Sequence, residues 1–360
     1  MKYLSLSFLL LTLGSPLSLW AWGEIGHKLV GAIAEEMMTP DARAFARGIV
    51  GIEPLAISSV WPDEVRDDAR FGSRNDENDF SPYHFCEIRR GLDDQTNQKK
   101  IAKDCHAVIR YSENILLSEN FPRETKMITL RFLIHVIGDV HQPLHVGNGF
   151  DRGGNACKVK VQDSKTRDLR TTNFHSFWDT QMVEQMGQRL KGPNQPPLRY
   201  YPEILAALKA KHQNMFTEEA KQKYGNPSPD FPSWMREAVE LRERVYPDNP
   251  EDMSSVPMGE EYKHRKYCLW YADQNKDKDP APESMIDETK IPTLDEKYLE
   301  KFSSVTETQI IKAGLRVAAM FDRMAQEAKK KNLPLVDDQA QKSTFELLFE
   351  KLKNIFPLKD

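Results

Sequence analysis

A histidine and an aspartate lie four residues apart at two places in the chain, His135 with Asp139 and His175 with Asp179. On a helix, residues at this spacing project from the same face, one turn apart. An apolar helix does not carry both side chains unless they are paired with each other or bind a metal. Imidazole and carboxylate groups suit Zn²⁺, so two such pairs in one chain indicate a zinc site.

Other histidines and aspartates could complete such a site. Pro143 predicts the end of a helix, and His145 follows on the exit turn. His27, Asp63 and His84 lie upstream and are further candidates. The remaining histidines lack a convincing carboxylate one turn away, and we do not expect them to bind metal: His106, His141, His212 and His264.

The elements that must position these residues are predicted to be helices, in an all-α single domain. Apolar residues recur at helical spacing in eight segments. These are His27–Met38, Ile101–Leu117, Thr125–Val140, Asn173–Met186, Tyr200–Met215, Ser233–Val245, Glu260–Asp273 and Thr293–Ala328, the last with an expected break. One short β-hairpin is predicted from the alternation in Lys158–Val161 and Leu169–Thr172.

The first residues are typical of a signal peptide. A positive start at Lys2 is followed by the apolar run Leu4–Leu13, and Ala21 is a small residue at a suitable cleavage position. No second apolar stretch is long enough to span a membrane. We therefore expect an exported protein, periplasmic or secreted, without a membrane anchor after processing.

The cysteines agree with export. The chain has four, Cys86, Cys105, Cys157 and Cys268, and an even number in an oxidising compartment suggests two disulfides. Three pairings are possible, and spacing does not choose among them. No Asn-x-Ser/Thr site has an allowed middle residue, which is more typical of a bacterial exported protein.

The overall charge gives no sign of a broad basic face for duplex binding. The formal net charge is −4 over 360 residues. Attraction of phosphates must therefore be local. Three zinc ions would outweigh the carboxylates of Asp63, Asp139 and Asp179 and leave a local charge of about +3.

Five blocks, in order, resemble the S1/P1 nuclease family of zinc-dependent nucleases and 3′-nucleotidases. The blocks cover residues 22 to 179, with weaker similarity to about residue 328. They are Trp22–His27, Trp61–Arg66, Tyr83–Phe85, His135–His145 with Gly153–Asn155, and Asn173–Asp179. The resemblance implies the helical fold shared by phospholipase C and P1 nuclease, with a catalytic domain over 22–328. The signal peptide then covers 1–21 and a helical tail 329–360.

The resemblance also implies three Zn²⁺ ions per chain and their ligands. Trp22 becomes the mature N-terminus and binds one zinc through its amine and carbonyl oxygen, together with His27. The second zinc takes Asp63, His84 and His135, and Asp139 bridges these two. The third zinc takes His145, His175 and Asp179.

Further roles follow from the same resemblance. Arg66 matches an arginine that stabilises the transition state, Asn155 matches a polar contact to phosphate, and Phe85 matches an aromatic on which a base stacks. Stacking tolerates any base but requires an unpaired one. The implied activity is hydrolysis of single-stranded DNA or RNA to 5′-phosphate products, with 3′-nucleotidase activity. The implied enzyme is a monomer acting on nucleic acid and nucleotides.

Two other functions fit parts of this pattern. A zinc-dependent phospholipase C shares the helical fold and an N-terminal tryptophan ligand. However, the last metal ligand along its chain is a glutamate, where this chain has Asp179. The gap from the tryptophan to the first histidine is also longer in that enzyme. A non-catalytic zinc-binding protein would explain the ligands but not Arg66 and Asn155.

Overall fold

Helices predominate in the computed structural model, which describes residues 22–66, 80–88, 104–147, 151–162, 168–192, 195–225, 231–247 and 291–333. The predicted mainly α-helical class is confirmed. The predicted helix Glu260–Asp273 lies outside the described residues, as do the proposed signal peptide and the tail beyond residue 333. No helix among the described residues is both long enough and apolar enough to cross a membrane.

The helices vary from single turns to one of 35 residues. In chain order they are α1 (Gly23–Met37), α2 (Pro40–Val50), α3 (Leu55–Ser58), α4 (Trp61–Val65), α5 (Cys105–Leu116), α6 (Arg123–His141), α7 (Phe174–Ser176), α8 (Met182–Lys191), α9 (Tyr201–Lys211), α10 (Glu218–Gly225), α11 (Phe231–Val245) and α12 (Glu296–Lys330). Short 3₁₀ turns cover Ser81–His84, Pro143–His145 and Gln213–Met215, and a π-helix covers Phe177–Gln181.

The strands are short. They are β1 (Cys86–Glu87), β2 (Val146–Gly147), β3 (Lys158–Gln162), β4 (Leu169–Asn173) and β5 (Thr293–Leu294). The antiparallel pairing of β3 with β4 confirms the predicted hairpin, and β5 adds a parallel strand to β3. A second pairing was not predicted: β1 and β2 run parallel, which brings the segments after His84 and His145 side by side.

Three helices, α1, α6 and α12, pack against one another and form the centre of the core. Leu29, Leu133 and Leu315 on their contact faces are fully buried. The helices approach closely because a glycine lies at the contact. A Cβ atom on Gly314 would come within 2.5 Å of Ile33 Cγ2, so any larger residue would push α1 and α12 apart.

The expected break in the last helical segment is wrong. Residues Thr293 and Leu294 form β5, and α12 then runs without interruption from Glu296 to Lys330. The Asp295 side chain caps its start by accepting a hydrogen bond from the Tyr298 N–H at 3.0 Å. Gly314 lies inside α12, at the contact with α1.

The segment predicted as one helix from Asn173 to Met186 is composite. Asn173 ends β4, and its side chain caps α7 by accepting from the Ser176 N–H at 2.7 Å. The π-helix then leads into α8, which continues to Lys191. Helix α2 was not predicted, although Thr39 accepts from the Ala42 N–H as an N-cap and Pro40 occupies the first turn.

A disulfide and a buried arginine fix the segment around β1 and β2. Cys86 and Cys105 are bonded to each other, and Cys157 is also disulfide-bonded, whereas Cys268 lies outside the described residues. The guanidinium of Arg242 is fully buried. Its Nη1 donates to three carbonyl oxygens along β1 and β2, those of Ile88, Val146 and Gly147, at 2.7 to 3.0 Å.

Candidate metal centre

Helix α6 carries two buried candidate ligands one turn apart, His135 and Asp139. Helix α1 brings His27 against them, and the His27 and His135 rings stack with centroids 3.8 Å apart. Gly138 makes this approach possible, because a Cβ atom there would lie 3.0 Å from His27 Nδ1. The carboxylate of Asp139 faces the Nε2 atoms of both rings, with Oδ1 3.3 Å from His27 Nε2 and Oδ2 3.3 Å from His135 Nε2.

A second group forms where α4 and the 3₁₀ turn Ser81–His84 meet α6. Asp63 Oδ1 lies 3.8 Å from His135 Nε2 and 3.7 Å from His84 Nδ1. His84 Nδ1 is also 2.9 Å from His135 Nε2 and 3.6 Å from Asp139 Oδ2. Phe132, one turn before His135, packs against the His84 ring at 6.0 Å between centroids. Because both His135 and Asp139 lie close to His84, they connect the first group with the second.

The third group consists of His145, His175 and Asp179. His175 Nε2 is 3.1 Å from Asp179 Oδ2, and His145 Nε2 is 3.5 Å from Asp179 Oδ1. Asp179 lies in the π-helix, a deviation from α-helical geometry that is frequent at functional sites. His145 Nδ1 is 3.9 Å from Asp139 Oδ1, so the third group adjoins the first two.

The structure thus brings eight predicted ligands into three adjacent buried groups. Their ligand atoms lie within 4.8 Å of one another in each group. The groups are His27, His135 and Asp139; Asp63, His84 and His135; and His145, His175 and Asp179. One grouping differs from expectation: the His135 ring stacks on His27, so His135 belongs to the first group as well as the second.

Backbone carbonyls set the orientation of three of the histidines. The Nδ1 atoms of His135, His145 and His175 lie 2.7 to 2.8 Å from the carbonyl oxygens of Ser59, His84 and Gly153. A carbonyl oxygen only accepts, so the proton is on Nδ1, and Nε2 presents its lone pair to the group. This arrangement, in which the second ring nitrogen is fixed by a hydrogen bond, is typical of histidines that bind metal.

Many of the inward-facing atoms form no hydrogen bond within the described residues. They include both ring nitrogens of His27, both oxygens of Asp63 and Asp139, Nε2 of His145, and Oδ2 of Asp179. Buried polar atoms almost always have hydrogen-bond partners, so a cluster of inward-facing ring nitrogens and carboxylate oxygens without them indicates a site that can hold a cation. The donor set, imidazole nitrogen and carboxylate oxygen in a closed space, fits a divalent metal such as zinc.

Burial and proximity shift the pKa values of these groups strongly. Burial lowers the pKa of His27 to about 4 and that of His84 to about 4. Burial raises the pKa of the Asp63 carboxyl to about 7. Burial would also lower the pKa of His145, but Asp139 and Asp179 outweigh it and raise the value to about 9. Without a metal, the groups compensate their charges with protons, which a bound cation replaces.

Trp22 lies beside the first group. Its side chain is fully buried, and the indole Nε1 donates to the Gly138 carbonyl at 2.8 Å. The backbone adopts a left-handed conformation with φ 47°, and the Trp22 carbonyl accepts from the Gly26 N–H at 3.2 Å. Trp22 is thus held against the glycine that also admits the His27 ring.

The other predicted site residues lie at the edge of the groups. Arg66 follows α4, with Nη1 3.9 Å from Asp63 Oδ1. Phe85 directly follows His84 and is 44% exposed. Asn155 is half-buried, and its Nδ2 donates to the Arg152 carbonyl at 2.9 Å. Its turn also supplies the Gly153 carbonyl that orients His175.

Three of the histidines not expected to bind metal are described by the structure, and they lie outside the three groups. His141 Nδ1 contacts the Ile137 carbonyl at 2.6 Å, and its Nε2 contacts the guanidinium of Arg316. His212 pairs with the buried Glu307. His106 belongs to none of the groups, and His264 lies outside the described residues.

Sequence reasoning missed the residues that hold the ligands. Ser59, Gly153 and Gln142 contact metal-ligand candidates through backbone carbonyls or a side-chain amide. The carbonyls have no side-chain signature. Gln142 and Gly153 lie inside the blocks His135–His145 and Gly153–Asn155, which were the available signal.

Comparison with known proteins assigns the family. The S1/P1 nuclease family model matches residues 22–272, most of the chain. The chain belongs to the S1/P1 nuclease family. Nuclease S1 of Aspergillus oryzae is 27% identical over 322 residues, which cover 86% of this chain and 93% of that protein. Nuclease P1 of Penicillium citrinum is 33% identical over 173 residues, which cover 46% of this chain and 59% of that protein.

A plant relative extends the similarity: Endonuclease 4 of Arabidopsis thaliana is 25% identical over 322 residues, covering 84% of this chain and 89% of that protein. The resemblance seen in the five blocks is confirmed, and with it the predicted class, a nuclease that hydrolyses ester bonds at a metal centre. Family and relatives together support a zinc-dependent single-strand nuclease.

Removal of metal is expected to destabilise the fold. Bound cations would compensate the buried carboxylates and the ring nitrogens without hydrogen-bond partners, so excess chelator should lower the melting temperature by about 5 °C or more. Differential scanning calorimetry with and without chelator measures the shift. The variant Asp139→Asn should show a smaller shift than the wild type. Asp151→Asn is the matched control, since Asp151 is equally buried but accepts from the Tyr246 hydroxyl.

A melting temperature that is insensitive to chelator in the wild type would contradict a bound metal. An equal chelator-dependent shift in Asp139→Asn and the wild type would contradict the central place given to this carboxylate.

Proposed function

We propose that this chain is an exported tri-zinc nuclease that cuts single-stranded DNA or RNA, leaves 5′-phosphates and also acts as a 3′-nucleotidase. One observation carries the proposal. Three adjacent buried His/Asp groups, the first two of which share His135, contain nitrogen and oxygen atoms without hydrogen-bond partners among the described residues. Several metals in close proximity suit displacement at phosphorus, because both the attacking and the leaving oxygen need charge stabilisation.

The proposed ligands take the three groups, with Trp22 added to the first and His135 assigned to the second. Trp22, His27 and Asp139 would hold one zinc, and Asp63, His84 and His135 a second, with Asp139 shared. The third would take His145, His175 and Asp179. When bound, zinc supplies positive charge that polarises the phosphate ester and lowers the pKa of a water molecule. The mature N-terminus at Trp22 is part of this proposal, since removal of residues 1–21 provides the free amine.

Arg66 is the proposed residue for the transition state. Its Nη1 is 3.9 Å from Asp63, so the guanidinium lies at the edge of the second group. The side chain is 13% exposed, which keeps the charge partly desolvated. A planar guanidinium donates two parallel hydrogen bonds to phosphate oxygens as negative charge develops. Asn155, in the turn that orients His175, is the proposed second polar contact to phosphate.

Phe85 is proposed to select unpaired bases. It directly follows His84, and its ring is 44% exposed, unusual for a phenylalanine. The backbone is fixed, because the Phe85 carbonyl accepts from the Cys105 N–H at 3.2 Å beside the Cys86–Cys105 disulfide. A base can stack on this ring only when it is unpaired. A substrate with splayed bases fits, and a continuous duplex does not.

The decisive experiment is incubation of the mature protein with single-stranded DNA, duplex DNA and a 3′-nucleotide. We expect cleavage of the single strand and the nucleotide, loss of both activities with chelator and recovery on addition of Zn²⁺. Mass spectrometry of the products should show 5′-phosphate termini. Hydrolysis of phosphatidylcholine in place of single-stranded DNA, or bound zinc without turnover of any of these substrates, would refute the proposal.

Arg66→Ala should keep the zinc content of the wild type and lower kcat by about 100-fold, because it removes one preorganised donor to the transition state. Metal analysis and steady-state kinetics on single-stranded DNA measure the two effects. The matched control is Arg47→Ala, which removes an arginine that is 59% exposed and lies in α2. Loss of zinc in Arg66→Ala, or a kcat equal to that of the wild type, would show that the proposed role is wrong.

Phe85→Ala should raise KM for single-stranded DNA by about 10-fold with little change in kcat, since base–aromatic stacking contributes roughly 1–3 kcal/mol. Phe85→Trp should retain the wild-type KM. Phe121→Ala is the control, because Phe121 is similarly exposed, at 41%, but lies before α6 and far from His84 in sequence. An unchanged KM in Phe85→Ala would exclude base stacking at this ring.

A further inference from the structure

Gln142 contacts Asp179 of the third group and the backbone of Asp139, and it belongs to none of the three groups. It is the first residue after α6 and is fully buried. Its backbone N–H donates to the carbonyl oxygen of Asp139 at 2.9 Å, which ties it to the helix end that carries the shared carboxylate. A fully buried glutamine must satisfy both ends of its amide, so its contacts define a fixed geometry.

Both ends of the Gln142 side chain are engaged. Oε1 accepts from the Leu144 N–H at 2.6 Å, and Nε2 donates to Asp179 Oδ1 at 2.7 Å. The amide has one orientation only, because a backbone N–H requires an acceptor and a carboxylate requires a donor. The first contact shapes the 3₁₀ turn that presents His145, and the second contact reaches Asp179 in the π-helix.

The hydrogen bond from Gln142 gives the two carboxylate oxygens of Asp179 different surroundings. Oδ1 is occupied by the amide. Oδ2 lies 3.1 Å from His175 Nε2 and forms no hydrogen bond within the described residues. Oδ1, which also lies 3.5 Å from His145 Nε2, is thus held by the amide, and Oδ2 has no such hydrogen bond and faces the group. Hydrogen bonds of this kind orient metal-binding carboxylates and raise metal affinity.

We propose that Gln142 is the positioning residue of the third metal group, which directs Asp179 Oδ2 to the metal and sets His145 beside it. The proposal rests on the proposed function, since it takes His145, His175 and Asp179 as zinc ligands. Gln142 also joins this group to Asp139 through its own N–H. It therefore fixes the position of the third group relative to the other two, and with it the space in which a phosphate is held.

The test is zinc binding by the mature protein, measured by isothermal titration of metal-free samples and by the visible spectrum of Co²⁺-loaded samples. Gln142→Glu retains an acceptor for the Leu144 N–H but replaces the donor to Asp179 by an acceptor. We expect two sites with wild-type affinity and a third weakened by about 10- to 100-fold, with the matching cobalt bands reduced. Far-UV circular dichroism establishes that the variant is folded.

Gln188→Glu is the matched control, because it makes the same chemical change at a glutamine of α8. The Gln188 amide donates to the Gly192 carbonyl at 3.2 Å and to the Gln195 carbonyl at 3.1 Å, not to a candidate ligand. Its three zinc affinities should equal those of the wild type. Gln142→Met, which removes both the donor and the acceptor, is the second variant. If Gln142→Glu does not fold, the zinc affinity of Gln142→Met at the third site tests the proposal.

Wild-type affinity at all three sites in Gln142→Glu overturns the proposal. Weakening in Gln142→Met but not in Gln142→Glu overturns it as well, because the amide would then act only on the Leu144 turn. In both cases the wild type still binds three zinc ions, and the proposed nuclease function is unaffected. A wild type that binds no zinc and cleaves no single-stranded DNA overturns the proposed function itself, and this inference with it.

Discussion

The buried carboxylate of Asp139 is the group on which the rest of the site depends. It is fully buried and lies within 3.9 Å of ring nitrogens from four histidines, His27, His84, His135 and His145. These come from α1, from α6 and from two 3₁₀ turns, so one carboxylate draws together elements far apart in the chain. The neighbouring histidines hold the pKa of Asp139 well below its ordinary value despite burial, so the carboxylate stays charged.

Glycines at helix contacts allow both the close packing of the core and the assembly of the site. Gly138 admits the His27 ring against α6, and Gly314 lets α12 approach α1 behind it. A side chain at either position would shift α1 by a substantial part of an ångström. Such a shift would move His27 away from the carboxylate it faces. The glycines at these contacts therefore serve ligand geometry as well as packing.

The ligands could be predicted from sequence because their spacing is local. The backbone groups that orient them could not be predicted. His135 with Asp139, and His175 with Asp179, share a helical face whatever the tertiary fold, and the family blocks supplied the rest. The carbonyls of Ser59, His84 and Gly153 orient three histidines without any side-chain signal. The uninterrupted course of α12 from Glu296 to Lys330 was not predicted either, because its contacts with α1 and α6 are tertiary.

Orientation by backbone carbonyls has a consequence for how the site is maintained. A carbonyl cannot be removed by substitution, so His135, His145 and His175 keep the same tautomer as long as the local backbone keeps its path. That path is held at β1 and β2 by the Cys86–Cys105 disulfide and by the three hydrogen bonds from Arg242. The His84 carbonyl, just before β1, then orients His145, just before β2. The second and third groups, which have no ligand in common, are therefore coupled through the main chain.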